Sequence, residues 1–204
     1  MQALYLNDTI TYMDNTAGSL TQLQESLIIG TLLGDGYIRK LKGRRDAFLE
    51  INHSFAQKEY VDWKYDVLKN LTISKPKVRY GKEGRIAYRF YTKQLPELTH
   101  IMNMFYIENK KIIPNIKLSP IVLAIWFMDD GSRCRKDDVY LNTQQFDKDD
   151  QYNLLKSLKL LGLDARLNKD KEYYRIRFMK SSISRLHDLI GEYIIPSMKY
   201  KIGL

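Results

Sequence analysis

The chain carries one pattern twice, once in each half: an apolar helical stretch that ends at an acidic residue followed by glycine. The first copy spans residues 27–36 and ends at Asp35, and the second spans residues 121–131 and ends at Asp130. Each copy predicts a buried helix that carries one carboxylate at its C-terminal end. If the two helices pack side by side, Asp35 and Asp130 meet at the bottom of a shared cleft.

Composition restricts the partners of this site. The chain has 204 residues and a net charge of +9, which makes nucleic acid the leading partner and an anionic membrane surface the second. No stretch is long and apolar enough to span a bilayer, and of these two partners we expect nucleic acid and no membrane. The lone cysteine, Cys134, excludes an internal disulfide and a cysteine-based zinc site. Paired carboxylates in a basic chain indicate metal-assisted chemistry on a phosphodiester backbone.

The sequence also bears on location. Residues 1–24 contain no Lys or Arg, so neither a transit peptide nor a secretory signal is predicted. The chain is rich in Lys, Ile, Tyr and Asn, whose codons are AT-rich. We therefore expect an intracellular protein encoded by an organelle genome, mitochondrial or chloroplast.

After each motif helix the same order of elements recurs. The capping-box pattern at Thr21 and Gln24 and the Ser119-Pro120 pair mark the starts of the two motif helices. Apolar periodicity predicts helices over 21–34, 57–71, 95–106, 148–161 and 182–192, and alternation predicts strands over 46–55, 77–80, 85–91, 139–145, 165–168 and 173–179. The expected fold class is α+β: two pseudo-symmetric αββαββα repeats, each a four-stranded sheet backed by helices, joined at the central pair of motif helices.

This order also predicts the domain boundaries and an open sheet face. We expect an N-terminal arm over residues 1–20, a first repeat over 21–116 and a second over 117–204. Side chains on the uncovered sheet face are candidates for reading bases in the major groove, and basic loops after each acidic motif are candidates for flanking DNA. The face candidates are Glu50, Asn52, Arg85, Arg89, Tyr140, Asn142, Gln144, Arg175 and Arg177. The loop candidates are Arg39, Lys40, Lys42, Arg44, Arg45, Arg133, Arg135 and Lys136, although such charge runs also occur in merely solvated loops.

Four segments carry a resemblance to a known family. They are Asn109-Lys110-Lys111 with the following Ile113-Pro114, Trp126 to Gly131, Leu141 to Gln144, and Met198 to Lys201. With the two acidic motifs, they resemble LAGLIDADG homing endonucleases of the single-chain, two-repeat form. They are similar to the branch of the yeast mitochondrial omega-intron endonuclease. The second copy departs from the small residues of the motif: Ile125 stands where Gly30 stands in the first copy, and Asp129 where Gly34 stands.

The resemblance implies a metal site. The last acidic residue of each motif, Asp35 and Asp130, would bind a divalent ion, Mg²⁺ or Mn²⁺, as two carboxylates beside a phosphate can. Gly34 and Asp129, one position earlier in each copy, join the candidate metal set. We expect Asp129 to point elsewhere on the helix and to play a structural role.

The resemblance also implies basic residues beside the scissile phosphates. These are Lys111 and Lys201, which would orient water or stabilise developing charge; the alternative is ordinary phosphate contact. His53, His100 and His187 are isolated along the chain and are expected to be packed or surface residues.

The implied activity is that of a monomeric, site-specific DNA endonuclease that promotes intron homing. It would cut one phosphodiester per strand of a long, nearly asymmetric double-stranded target. Two alternatives stay open on the same scaffold: an RNA maturase that assists splicing of intron RNA, and a non-catalytic DNA-binding regulator. The presence of both acidic residues favours the nuclease.

Overall fold

A computed structural model describes residues 20–135 and 137–203. The expected N-terminal arm, apart from Leu20, and the DNA-contact candidate Lys136 lie outside these residues.

From residue 20 onward, the described part of the first half contains three α-helices and six strands. In chain order they are α1 (Gln22–Leu33), β1 (Tyr37–Arg39), β2 (Phe48–Ser54), α2 (Lys58–Leu68), β3 (Lys77–Tyr80), β4 (Ile86–Tyr91), α3 (Pro96–Phe105), β5 (Tyr106–Ile107) and β6 (Lys110–Lys111). The capping box at the start of α1 is confirmed: the Gln24 backbone N–H donates to the Thr21 hydroxyl, and the Thr21 N–H donates to the Gln24 side-chain oxygen. β5 and β6 form a two-stranded hairpin that follows the four-stranded sheet.

The second half repeats the order, without that hairpin among its described residues. Its elements are α4 (Pro120–Asp130), β7 (Gly131–Arg135), β8 (Asp138–Leu141), α5 (Lys148–Leu160), β9 (Ala165–Asp170), β10 (Tyr173–Phe178) and α6 (Ile183–Ile190), followed by 3-10 turns at Gly191–Tyr193 and Pro196–Lys201. Ser119 caps α4 by accepting from the Val122 N–H, and Pro120 is its first residue, as predicted. The chain therefore has the α+β fold in two repeats that the sequence predicted.

The two four-stranded sheets share one topology. The strand orders are β1-β2-β4-β3 and β7-β8-β10-β9, and all neighbours are antiparallel. The sequence located three strands in each half but assigned the edge strands β1 and β7 to basic loops, which was wrong. The strand predicted over 139–145 ends at Leu141, where the Asn142 backbone N–H makes the last bond to the neighbouring segment, to the carbonyl of Asp130 at the end of α4.

The motif helices pack directly against each other. A Cβ atom added to Gly30 would lie 2.7 Å from Cβ of Ile125, and one added to Gly34 would lie 2.4 Å from Cβ of Asp129. At these two positions the second copy replaces a glycine of the first copy, so the larger residue of the second copy fills the space left by glycine in the first. The close approach of the helices is kept by this complementarity, without small residues on both sides.

The core is continuous across the two repeats. Leu27, Ile28 and Leu32 of α1 and Leu123, Trp126 and Phe127 of α4 are completely buried, together with the inward-facing residues of β2 and β8. Because both motif helices are apolar on nearly all sides, their ends are held rigidly at the floor between the sheets. Among the described residues, no helix is both long and apolar enough to cross a membrane.

Candidate active site

The ends of α1 and α4 bring Asp35 and Asp130 to one place, as the duplicated motif predicts. The Asp35 side chain is half-exposed, at 50%, and Asp130 is more enclosed. Burial, the charge of Asp35 and the charge of Asp129 raise the pKa of Asp130 to about 8. Burial and the charge of Asp129 likewise raise the pKa of Asp35. The carboxylates are thus close enough to repel each other, and a bound cation would relieve that repulsion.

Lys111 and Lys201 take equivalent places beside this pair. The Lys111 ammonium, carried by β6, donates to the carbonyls of Gly34 at 2.9 Å and Gly36 at 3.1 Å. The Lys201 ammonium, carried by the last 3-10 turn, donates to the carbonyl of Asp129 at 2.6 Å. Gly34 and Asp129 occupy the same position in the two motif copies, so each repeat closes its own motif helix with a lysine. Burial lowers the pKa of Lys111 to about 8 and also lowers that of Lys201, against the opposing pull of the aspartates.

Asp129 points away from the cleft, as expected, and into the first repeat. Its buried carboxylate accepts hydrogen bonds from the Lys64 ammonium at 2.8 and 3.1 Å. Potential ligand atoms of Asp35, His53 and Asp129 lie within 4.8 Å of one another. Since Lys64 already neutralises Asp129, this arrangement argues against the metal role considered for Asp129. Gly34 offers only its carbonyl, which Lys111 engages.

His53 and Lys64 are the site residues that the sequence analysis missed. His53 Nδ1 lies 3.6 Å from Asp35 Oδ2, and His53 Nε2 lies 3.3 Å from the Lys64 ammonium. Burial and the charge of Lys64 lower the pKa of His53 to about 4. A signal was present: alternation puts His53 on the buried face of β2 with Leu49 and Ile51, and Lys64 follows Val61 at helical spacing on the buried face of α2.

Gln145 completes the surroundings of Asp130. Its side-chain amide donates to Asp130 Oδ2 and to the carbonyl of Leu33, both at 3.4 Å. It lies at an exposed position on the surface of the second repeat, whereas the contact of His53 with Asp35 comes from the buried side.

The open face of the first sheet carries arginines that are held in place by a carboxylate and by aromatic rings. Glu50 lies 3.3 Å from Arg39 and 3.7 Å from Arg89, which pairs with Asn52 across the strands. Arg39 stacks over Phe48, and Arg89 stacks over Tyr91. Five more candidates are exposed nearby: Lys40, Lys42, Arg44, Arg45 and Arg85.

The open face of the second sheet is arranged differently. Arg175 stacks over Tyr140 at 4.0 Å from the ring centre, and Arg177 lies at 5.9 Å and pairs with Asp138. Tyr140 is only 7% exposed beneath these guanidinium groups, so it supports the arginines and has little surface of its own for DNA.

Four other candidates of the second repeat lie beside the strands or in β7. The Asn142 amide donates to the carbonyl of Asp130 at 2.9 Å, and that of Gln144 donates to Asp170 at 3.0 Å. Both residues lie beyond the end of β8, so they were wrongly assigned to a strand. Arg133 and Arg135 lie in β7 instead of the predicted loop, and Arg133 donates to the carbonyl of Ile202 near the C-terminus.

Comparison with known proteins identifies the family. Residues 25–186 match the sequence model of the LAGLIDADG DNA endonuclease family. The chain belongs to this family. It is 31% identical over 210 residues to the cytochrome b mRNA maturase bI2 of Saccharomyces cerevisiae, covering 94% of this chain and 50% of that protein. It is 30% identical over 202 residues to the probable intron-encoded endonuclease 1 of Wickerhamomyces canadensis, covering 90% of this chain and 85% of that protein.

A solved relative has the same fold throughout. The homing endonuclease I-WcaI, bound to its DNA recognition sequence, superposes with a TM-score of 0.84 at 29% identity, covering 90% of this chain and 87% of that one. This LAGLIDADG chain thus spans about half of the yeast maturase but most of I-WcaI.

Proposed function

We propose that this protein is a site-specific, metal-dependent DNA endonuclease that cuts one phosphodiester in each strand of a long, nearly asymmetric target. One observation carries the proposal: the paired helix ends hold Asp35 and Asp130 together, with Lys111 and Lys201 at equivalent places beside them. A site with one carboxylate and one lysine per repeat suits a reaction performed once on each strand.

The donor set fits a hard divalent cation. Carboxylate oxygens are what Mg²⁺ takes from proteins, with substrate phosphate and water filling the remaining positions, and Mn²⁺ accepts the same ligands. Asp35 and Asp130 would hold the ion, which supplies Lewis-acid stabilisation of phosphate charge and a more acidic water. Lys111 and Lys201, anchored on the carbonyls of Gly34 and Asp129, would place positive charge where the scissile phosphates lie.

The two sheets would provide the target specificity. A two-stranded ribbon fits the major groove, and arginine can bind guanine through two hydrogen bonds. The different chemistry of the two open faces, with Glu50 between arginines in one and Tyr140 beneath arginines in the other, fits a target whose halves differ. A fused pair of repeats needs no second chain, so we propose a monomer. The similarity to an intron-encoded endonuclease supports a role in intron homing and an organelle origin.

Selection of cleaved sites from a randomised DNA library tests the proposal. With Mg²⁺, we expect one recovered sequence family, cut in both strands, and no cleavage with EDTA. Recovery of no cleaved sequence in Mg²⁺ or Mn²⁺, with DNA binding intact, would leave a non-catalytic regulator.

A second function, assistance of intron splicing, is favoured by one observation: the similarity to a cytochrome b mRNA maturase over 94% of this chain. Binding of a structured intron RNA in competition with duplex DNA tests it. Tighter binding to RNA than to the selected DNA site would favour the maturase.

A further inference from the structure

The two repeats differ at the core beneath the catalytic cleft. In the first repeat, three polar side chains are packed together with almost no exposure: His53 at 2%, Lys64 at 0% and Asp129 at 0%. Tyr60 closes the cluster, with its ring 4.3 Å from the Lys64 ammonium and 5.4 Å from the His53 ring. Asp129 reaches the cluster from the second repeat across the helix interface.

The equivalent positions of the second repeat contain no such cluster. Tyr37 pairs with Glu50 in the first sheet, and the equivalent residue Ser132 pairs with Tyr140 in the second. Counting three residues onward from Glu50 and Tyr140 therefore places Thr143 where His53 stands. Lys64 and Leu154 are each the seventh residue of their helices, α2 and α5, and Gly34 is the counterpart of Asp129. The set in the second repeat is thus Thr143, Leu154 and Gly34, with no charged member.

The chemistry of the cluster bears on which of its atoms donate and which accept hydrogen bonds. With Lys64 as an ammonium, which can only donate, the 3.3 Å contact assigns the acceptor role to His53 Nε2. The ring proton is then on Nδ1, the nitrogen that lies 3.6 Å from Asp35 Oδ2. The imidazole also hydrogen-bonds the Gln57 side chain. His53 thus faces one acidic residue of the pair at 3.6 Å, with a ring that Lys64 and Gln57 hold in place, from a side that solvent does not reach.

Asp130 has no matching support. Its side-chain partner Gln145 is exposed and contacts it at 3.4 Å, and Thr143, at the place of His53, is buried with a hydroxyl that has no hydrogen-bond partner. The carboxylate of Asp35 is therefore contacted by a buried network, and that of Asp130 is bonded by a surface amide.

We propose that His53, oriented by Lys64 and Asp129, positions the Asp35 carboxylate, and that this support makes the two strand cuts unequal in rate. The inference rests on the proposed endonuclease function and adds to it a difference between the two halves of the active site: His53 contacts Asp35, and Asp130 has no equivalent histidine. His53 is a positioning residue, because its effect on the reaction passes through Asp35.

Strand-resolved cleavage tests the proposal. With the selected target labelled on each strand in turn, His53→Ala should slow one cut by about 10-fold or more, the usual effect of removing such a support, and leave the other unchanged. His53→Asn, whose amide can donate from near the Nδ1 position, should restore much of that rate. Thr143→Ala, the matched change in the second repeat, should leave both cuts unchanged.

A spectroscopic readout on the protein without metal and DNA tests the contact itself. The ¹⁵N signals of the His53 imidazole should report a proton on Nδ1. They should shift in Asp35→Asn and stay in place in Asp130→Asn. A proton on Nε2, or signals that do not shift in Asp35→Asn, would overturn the proposal.

The outcomes separate this proposal from the function on which it rests. Equal slowing of both cuts by His53→Ala would overturn the asymmetry and leave the endonuclease function standing. A wild-type protein that cuts neither strand would overturn both. If His53→Ala does not fold, the triple variant with the residues of the second repeat (His53→Thr, Lys64→Leu, Asp129→Gly) replaces it, and an unchanged strand ratio in that variant would overturn the proposal.

Discussion

Removal of the Lys64 ammonium should destabilise the protein strongly. In Lys64→Met, the carboxylate of Asp129 would stay in a place with no exposed side-chain surface and lose both of its hydrogen bonds to Lys64. Breaking a buried ion pair by removing one partner costs about 3–5 kcal/mol. For a chain of this size, each kcal/mol lowers the melting temperature by about 2–4 °C, so we expect a fall of about 6–20 °C.

Urea denaturation followed by tryptophan fluorescence measures this cost, since Trp126 is completely buried in the folded protein. The double variant Lys64→Met with Asp129→Ala should be more stable than Lys64→Met alone, because replacing both charges by apolar groups is often neutral or stabilising. Lys58→Met on the same helix removes an exposed pair with Asp62 and an exposed contact with the Tyr88 ring, and should change the midpoint far less than Lys64→Met. A midpoint for Lys64→Met equal to that of wild type would refute the reasoning, since Asp129 would then be hydrated.

Three further predictions follow from the helix interface, the acidic pair and the sheets. Gly30→Ala should lower the free energy of unfolding by about 1–3 kcal/mol through overpacking, because the added Cβ would lie 2.7 Å from Cβ of Ile125. Urea denaturation measures this loss, and the double variant with Ile125→Ala should recover stability if overpacking is its cause. The pKa of Asp130 is about 8 in the folded protein and 3.8 ordinarily, so the folded protein binds this proton more tightly than the unfolded chain does. Without metal, the resulting contribution to the free energy of unfolding is fully present below about pH 4 and is lost as the pH rises to about 8. Asp130→Asn should remove this component of the pH dependence in urea titrations, and an unchanged slope would contradict the raised pKa. Arg175→Ala should relax base preference by about 1–3 kcal/mol at one position of the target, measured by binding to single-base variants, whereas Lys42→Ala should weaken binding to all of them equally.

The duplicated motif predicted most of what positions the site. An acidic residue at the end of each apolar helix was enough to place Asp35 and Asp130 together, and the Thr21 and Ser119 caps fixed where the helices begin. The edge strand β1 was missed because three residues are too few for alternation to be visible.

The buried cluster could not be predicted from local patterns. A lysine on a helix normally lies at the surface, and the partner that makes burial of Lys64 possible, Asp129, is 65 residues away and on another helix. The same applies to His53, which looked isolated along the chain and whose contacts with Asp35 and Lys64 come from the end of α1 and from α2. Long-range pairs of this kind depend on the tertiary fold, which the helix and strand periods do not specify.

Replacement of each of the two acidic residues by asparagine tests the central claim most directly. On a selected DNA site with Mg²⁺, Asp35→Asn and Asp130→Asn should each abolish double-strand cleavage while binding of the site is retained in Ca²⁺. Double-strand cleavage at the wild-type rate by either variant would contradict an active site built on this pair.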